Sequence, residues 1–316
     1  MPEFDLIRHI HAHAGAARAD VALGMGDDGA VLSVPTSRKL VAVTDSLVEG
    51  VHFPAGTAPA DIGWKALAVN LSDLAAMSAT PAWVLLNLAL PDAEDGFVRG
   101  FMQGFEALAR RHDVSLVGGD TCRGPLCITV TALGFASAAD IPQRSAARIG
   151  DRVCVTGTLG DAAAGLASLA DPGDVSSGAL EYLRGRLTRP TPRVAAGLAL
   201  RGVAHACVDV SDGLVADLGH VAAASGVGIE IDVDALPLSP ALCAAVTPER
   251  ARELALTGGD DYELAFTMAA DVVPAGIAET DVEFTCVGRV VAGSGVKLLS
   301  RDGEMALVRS GWEHFG

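Results

Sequence analysis

Leu40-Val-Ala-Val-Thr-Asp45 is a short β-branched run that closes on an acid, and the chain repeats that shape. Such a run reads as a buried strand. Val114-Ser-Leu-Val-Gly-Gly-Asp120 and Ala206-Cys-Val-Asp-Val-Ser-Asp212 follow the same pattern, and Gly26-Asp-Asp-Gly29 sets two more acids at a turn before another apolar run. Asp27, Asp28, Asp45, Asp120, Asp209 and Asp212 are therefore expected where strands stop, the positions from which folds present binding groups. Bare clustering of such acids is costly. Two like charges about 4 Å apart repel by roughly 4 kcal/mol at an effective dielectric near 20, against a total stability of about 5–15 kcal/mol. Convergent acids therefore imply cations. Hard oxygen donors without an accompanying Cys/His set point to Mg²⁺ or Ca²⁺ rather than zinc.

With 316 residues, the chain has room for two domains, each with its own core. Half of its residues are hydrophobic and 20% are charged, the balance of a globular protein. A net charge of −16 argues against non-specific binding to nucleic acid or to an anionic membrane. The only lysines are Lys39, Lys65 and Lys297, so phosphate contacts fall to arginines, backbone amides or metal ions. The six cysteines form no C-x-x-C; four lie within or beside apolar runs, as expected of reduced core residues in a cytoplasmic protein. The N-terminus lacks the basic and apolar regions of a signal peptide, and no apolar run reaches the ~20 residues that span a bilayer.

Residues 4–14 read as a helix in which His9, His11 and His13 are solvated rather than metal-bound. Gly24-Met-Gly-Asp-Asp-Gly29 matches G-x-G-x-x-G in letters only. A dinucleotide site needs a strand before it, a helix after it and no charge at the pyrophosphate, whereas Asp27 and Asp28 stand there and a strand-like run follows. An acidic turn that feeds metal is the better reading. After the strand at 40–45, a loop carries His52. A helix from Pro59-Ala-Asp61 to about Ala79 is expected, with Asp61 as N-cap and Trp64, Leu67, Ala68, Leu71, Leu74 and Ala75 as its apolar stripe. Asp73 falls on the opposite side among Ala66, Val69, Asn70 and Met77, which marks it as a covered, ligand-bearing acid.

Further strands are expected at 82–90, 126–135, 150–157, 228–232, 262–267, 284–290 and 295–299, and helices at 94–112, from 160, and at 176–187, 193–201, 214–225 and 248–256. This interleaving predicts an α/β (α+β) fold of mixed sheets flanked by helices. No P-loop, protein-kinase set or G-x-S-x-G elbow is present. Gly118-Gly119-Asp120 and Thr257-Gly-Gly-Asp-Asp261 would let backbone amides approach phosphates closely. The residues alone thus indicate a Mg²⁺-dependent nucleotide enzyme.

Gly26-Asp-Asp-Gly-Ala-Val31, Thr44-Asp45, Glu49-Gly-Val-His52-Phe, Lys65-Ala-Leu-Ala-Val-Asn-Leu-Ser-Asp73-Leu-Ala-Ala-Met77, Val117-Gly-Gly-Asp120-Thr, Asp209-Val-Ser-Asp-Gly213-Leu, Thr257-Gly-Gly-Asp-Asp-Tyr-Glu263 and Gly311-Trp-Glu-His-Phe315 together resemble the thiamine-monophosphate kinase family. That family belongs to the superfamily that includes aminoimidazole ribonucleotide synthetase. The resemblance implies two α/β domains, at residues 1–147 and 148–316, the first pairing with its copy in a homodimer. It implies transfer of the ATP γ-phosphoryl to thiamine monophosphate, aided by several Mg²⁺ ions. Asp28, Thr44, Asp45, Asp73, Asp120, Asp209 and Asp212 would ligate those ions, Gly119, Asp120, Arg144 and Ser211 would contact ATP, and His52, Asp260 and Trp312 would contact the acceptor. Asp260 stands where the family usually has Glu, and Val43 stands where one metal site often has Ser or Thr. Selenophosphate synthetase would need an N-terminal Cys, whereas the first here is Cys122; the hydrogenase-maturation relative would need a C-terminal Cys, whereas this chain ends His314-Phe-Gly. A non-catalytic Ca²⁺-binding module could use the same acids.

Overall fold

A computed structural model describes residues 3–272, 280, 282–306 and 311–312. The chain divides into two compact units, Met1–Leu74 with Ala79–Ala138, and Ala75–Ser78 with Ala139–Gly316. In the first unit, helix α1 (Glu3–Ala12) precedes a small ribbon, β1 (Val21–Leu23) with β2 (Val31–Leu32). Then come β3 (Lys39–Val48), α2 (Pro59–Ala76), β4 (Thr80–Leu90), α3 (Asp95–Arg111), β5 (Ser115–Arg123) and β6 (Cys127–Ala136). The four long strands form one sheet in the order β3-β6-β4-β5, parallel between β4 and β5 and antiparallel elsewhere.

Strand β6 shows why the sheet has two unlike faces. Ile128, Val130, Ala132 and Ala136 are fully buried, while the alternating Cys127, Thr129, Thr131, Leu133 and Phe135 are half-buried, as the two-residue strand period requires. Strands β3 and β5 run on past Asp45 and Asp120, so these acids lie inside strands rather than at their ends. Backbone pairing does not depend on apolar side chains: Ser46 and Thr129 share a hydroxyl–hydroxyl bond of 2.6 Å across the continuing ladder. An apolar run therefore marks the start of such a strand better than its end.

Helix α2 is covered nearly all round, Lys65 at 2% exposure and Asn70 and Ser72 at 0% included, which accounts for its lack of surface charge. It starts at Pro59, a residue suited to the first helical position, so Asp61 lies in the first turn rather than at the N-cap. It crosses α3 almost backbone to backbone: a Cβ on Gly104 would come 1.8 Å from the Ala60 carbonyl oxygen.

The second unit contains β7 (Arg152–Thr156), α4 (Asp161–Ala170), α5 (Ser177–Thr188), α6 (Val194–Ala199), β8 (Ala206–Asp209), α7 (Leu214–Ser225), β9 (Gly228–Asp232), α8 (Pro240–Ala245), α9 (Pro248–Thr257), β10 (Leu264–Met268), β11 (Phe284–Val291), β12 (Gly295–Ser300) and β13 (Gly303–Met305). Its sheet runs β13-β12-β9-β11-β7-β10-β8 and is mixed, with β9 and β12 parallel. Val153, Val155, Val208, Ile229 and Ile231 of the sheet share a core with Leu214, Leu218 and Val221 of α7. The fold is thus the α/β arrangement of two units with mixed sheets. The short α8 escaped the sequence reading although Ser239 caps it through the Leu242 amide and Pro240 opens it. All six cysteines are free thiols, but only Cys154 and Cys207 are buried, so β propensity overstated their core role. No helix among the described residues is long and apolar enough to cross a membrane.

Candidate active site

In the first unit, the Gly26–Gly29 turn and β5 wall a cavity of about 530 Å³. Asp27 and Asp28 enter from the turn, and Gly118, Gly119 and Asp120 from the strand, over an apolar floor that includes Leu85 and Leu133. All three acids are solvent-exposed, and the Asp28 amide donates to Asp27 Oδ1 at 2.9 Å. Gly119 has φ +146°, and a Cβ there would lie 1.9 Å from the Leu86 carbonyl oxygen. Only glycine fits, and its bare backbone stays open to the cavity.

Asp45 lies on the far edge of the same sheet. Ladder register aligns Asp45 with Val130, Leu86 and Gly119 in one row across four strands, so three strand spacings, about 14 Å, separate it from β5. Next to it, the Thr44 hydroxyl donates to the Val130 carbonyl at 3.2 Å and pairs with Thr131 Oγ1 at 3.1 Å. Asp73 is half-buried on α2. His52 sits in a turn after β3, where the Val48 amide donates to its Nδ1 at 3.0 Å and Lys65 Nζ donates to its carbonyl at 3.0 Å. With Nδ1 accepting, the neutral ring carries its proton on Nε2 and presents a donor. Among the described residues, no three His, Cys, Asp or Glu side chains are grouped to hold a metal ion. The side-chain oxygen donors lining the cavity are nonetheless the carboxylates of Asp27, Asp28 and Asp120 with the Thr121 hydroxyl, a hard set that suits Mg²⁺.

In the second unit, backbone hydrogen bonds draw together segments distant in sequence. Asp209 ends β8, 4% exposed, and Ser211 and Asp212 follow in the turn before α7. The Asp260 amide donates to the Ser211 carbonyl at 2.9 Å, and the Trp312 amide to the Asp212 carbonyl at 3.0 Å. Two sequence-predicted acceptor contacts thus flank a predicted metal- and ATP-contacting turn. The Trp312 side chain is 56% exposed; Glu313, His314 and Phe315 lie outside the described residues. Arg144 is exposed, and its carbonyl is tied to Ser225, at the other end of α7.

The loop bearing Asp260 is braced from beneath. Asp260 and Tyr262 hold φ of +68° and +50°, and Tyr262 Oη donates to Asp260 Oδ1 at 3.0 Å. Strained backbone of this kind persists only when its surroundings over-determine it. Here Glu263, fully buried, takes hydrogen bonds from Thr156, Arg186 and Arg193. Asp261 accepts from the Gly160 amide at 2.7 Å, and burial holds its carboxyl well above the usual range. Sequence reasoning missed this network, and it missed Asp217 on α7. Burial, then the charges of Asp209 and Asp212, push the Asp217 carboxyl up to about 7. Its available signal was an acid in a helix's first turn just after an Asp-Gly stop.

The two-unit fold is that of the AIR synthase related proteins: the family model of their N-terminal domain matches residues 26–136 and that of their C-terminal domain residues 148–300. The chain is 44% identical to the thiamine-monophosphate kinase of Escherichia coli (strain K12), over 99% of this chain and 98% of that protein. The crystal structure of thiamine-monophosphate kinase from Stenotrophomonas maltophilia K279a superposes with a TM-score of 0.88 at 49% identity, covering 97% of this chain and 98% of that one. AaThiL complexed with AMPPCP and TMP does so with a TM-score of 0.81 at 36% identity, covering 99% and 97%. The chain belongs to the thiamine-monophosphate kinase family.

Proposed function

We propose that the protein transfers the ATP γ-phosphoryl to the phosphate of thiamine monophosphate, giving thiamine diphosphate and ADP. The observation that carries this reading is likeness over the whole chain to thiamine-monophosphate kinases, one of them complexed with AMPPCP, a non-cleavable ATP analogue, and TMP. Asp28, Thr44, Asp45, Asp73, Asp120, Asp209 and Asp212 would hold Mg²⁺, which supplies charge neutralisation and alignment for two anionic substrates. The Gly119 amide, Arg144 and the Ser211 hydroxyl would contact ATP. His52 would donate Nε2–H to an acceptor oxygen, Asp260 would face the thiazolium cation, and Trp312 would offer its open π-face. The acceptor oxygen belongs to a phosphate that is already ionised near neutral pH, so no side chain need remove a proton. A bond forms from that oxygen to the γ-phosphorus as the bond to ADP breaks. A chiral γ-phosphate should therefore emerge inverted; retention would indicate a phosphoenzyme.

Beyond the sheet, β3 has no partner strand among the described residues and β5 has only a single bridge, from Ser115 to Gly15 at its start; the two strands carry Asp45 and Asp120. An ion shared by these two acids requires a second copy that brings one protomer's β3 edge to the other's β5 edge, which supports a homodimer built through the first unit. Residence in the cytoplasm accords with free thiols and a negatively charged soluble substrate pair. The test is a phosphoryl-transfer assay with thiamine monophosphate, free thiamine and ribonucleotide acceptors. Thiamine monophosphate should be preferred by orders of magnitude; equal or better use of either alternative defeats the assignment.

A further inference from the structure

Asp217 occupies the first turn of α7, where it is 3% exposed. One of its oxygens, Oδ2, accepts three successive amides: Ser211 at 3.1 Å, Asp212 at 3.1 Å and Gly213 at 3.2 Å. Consecutive N–H groups converging on one point form a nest that holds an anion. Here a carboxyl oxygen of the chain itself takes that place. Gly213, the residue before the helix, has no side chain to cap it and sits at φ +121°. Asp217 therefore holds the three amides that lead into the helix, of which only that of Gly213 belongs to the helix terminus itself.

Capping alone does not explain a carboxylate. Serine, threonine or asparagine caps are as good and carry no charge, whereas a buried acid is costly unless paired. No arginine or lysine hydrogen-bonds to Asp217 among the described residues, and its charged neighbours are two further acids, Asp209 and Asp212. Placing a third negative group beneath that turn makes sense where cations are held above it. The turn is also fastened on its other side, by the Asp260 amide on Ser211 and the Trp312 amide on Asp212.

We propose that Asp217 is a positioning residue that clamps the Ser211–Gly213 turn in the shape from which Asp209, Asp212 and Ser211 meet Mg²⁺ and ATP. The proposal rests on the site reading above. Its test uses the full chain and Asp217→Asn, which keeps size and an acceptor oxygen but removes the charge; Asp217→Ala risks failing to fold. Amide exchange at residues 211–213 and calorimetric affinity for Mg²⁺–AMPPCP are measured alongside melting temperature. Both exchange and dissociation constant should rise about tenfold in folded Asp217→Asn, the scale of one lost charge-assisted hydrogen bond. Wild-type affinity in that folded variant, whatever its melting temperature, overturns the proposal. Asp209→Asn separates the two readings. If it weakens Mg²⁺–AMPPCP binding while Asp217→Asn does not, only the clamp is wrong; if neither weakens it, the site reading fails and the clamp with it.

Discussion

Asp260 sits at φ +68°, takes the Tyr262 hydroxyl on one oxygen and leans on a turn that carries Ser211. A carboxylate held this firmly suits a fixed cation such as a thiazolium better than a mobile ion. Asp260→Ala should raise KM for thiamine monophosphate about tenfold, as expected for a lost charge-assisted contact, and should change KM for ATP far less. Steady-state kinetics with each substrate varied decide the point, and equal effects on both remove Asp260 from the acceptor site. His112, at the end of α3, offers a second test at this scale. Burial, then the Arg111 charge, lower its pKa from 6.5 to about 4. The fold favours the neutral ring, so the unfolded chain takes up the proton first. Stability is full above about pH 6.5 and is lost as pH falls toward 4. The loss from this group between about pH 7 and pH 5 should be about 1–2 kcal/mol after allowance for its partial exposure. Urea unfolding at both pH values should show a shallower slope in His112→Gln; an identical slope means the ring is solvated.

Strands and helices carry constraints that no single side chain does. At Gly119 the backbone conformation and the Leu86 carbonyl both exclude a Cβ, whereas at Gly124, just past the end of β5, a Cβ would meet only the Ala89 methyl at an ordinary 3.5 Å. Gly119→Ala should therefore destabilise the protein by about 2–4 kcal/mol through overpacking and backbone strain, with loss of nucleotide binding. Gly124→Ala should stay within about 0.5 kcal/mol of wild type. Chemical denaturation of the pair tests the contrast, and equal stabilities would mean that β4 and β5 part easily at the cavity. The turn from β8 into α7 belongs to the same scale: its acids were evident as a motif, but its shape depends on Asp217, one helical turn further on.

For the whole molecule, the proposed homodimer fixes how many copies make one site. The β3 and β5 edges suggest at least two, so sedimentation should show a dimer at micromolar concentration; a fully active monomer would falsify that assembly. Much was already determined by the sequence: the alternation of strands and helices, the acids of the Gly26–Gly29 turn and of the turn that follows β8, the shortage of lysine and the family itself. These are local or compositional properties, carried by periodicity and short motifs. Helix α7 was read to its exact ends because an Asp-Gly stop precedes it and a Ser-Gly stop follows. Strand lengths at Asp45 and Asp120 were not legible, because ladders continue through polar residues that periodicity treats as an end. Tertiary structure alone decided which acids meet. It joins Asp27 and Asp28 to Asp120 across one cavity, sets Asp45 about 14 Å away by ladder register, and ties Ser211 and Asp212 to Asp260 and Trp312. Those are contacts between residues far apart along the chain, set by strand register and backbone hydrogen bonds, and spacing in a sequence does not encode them.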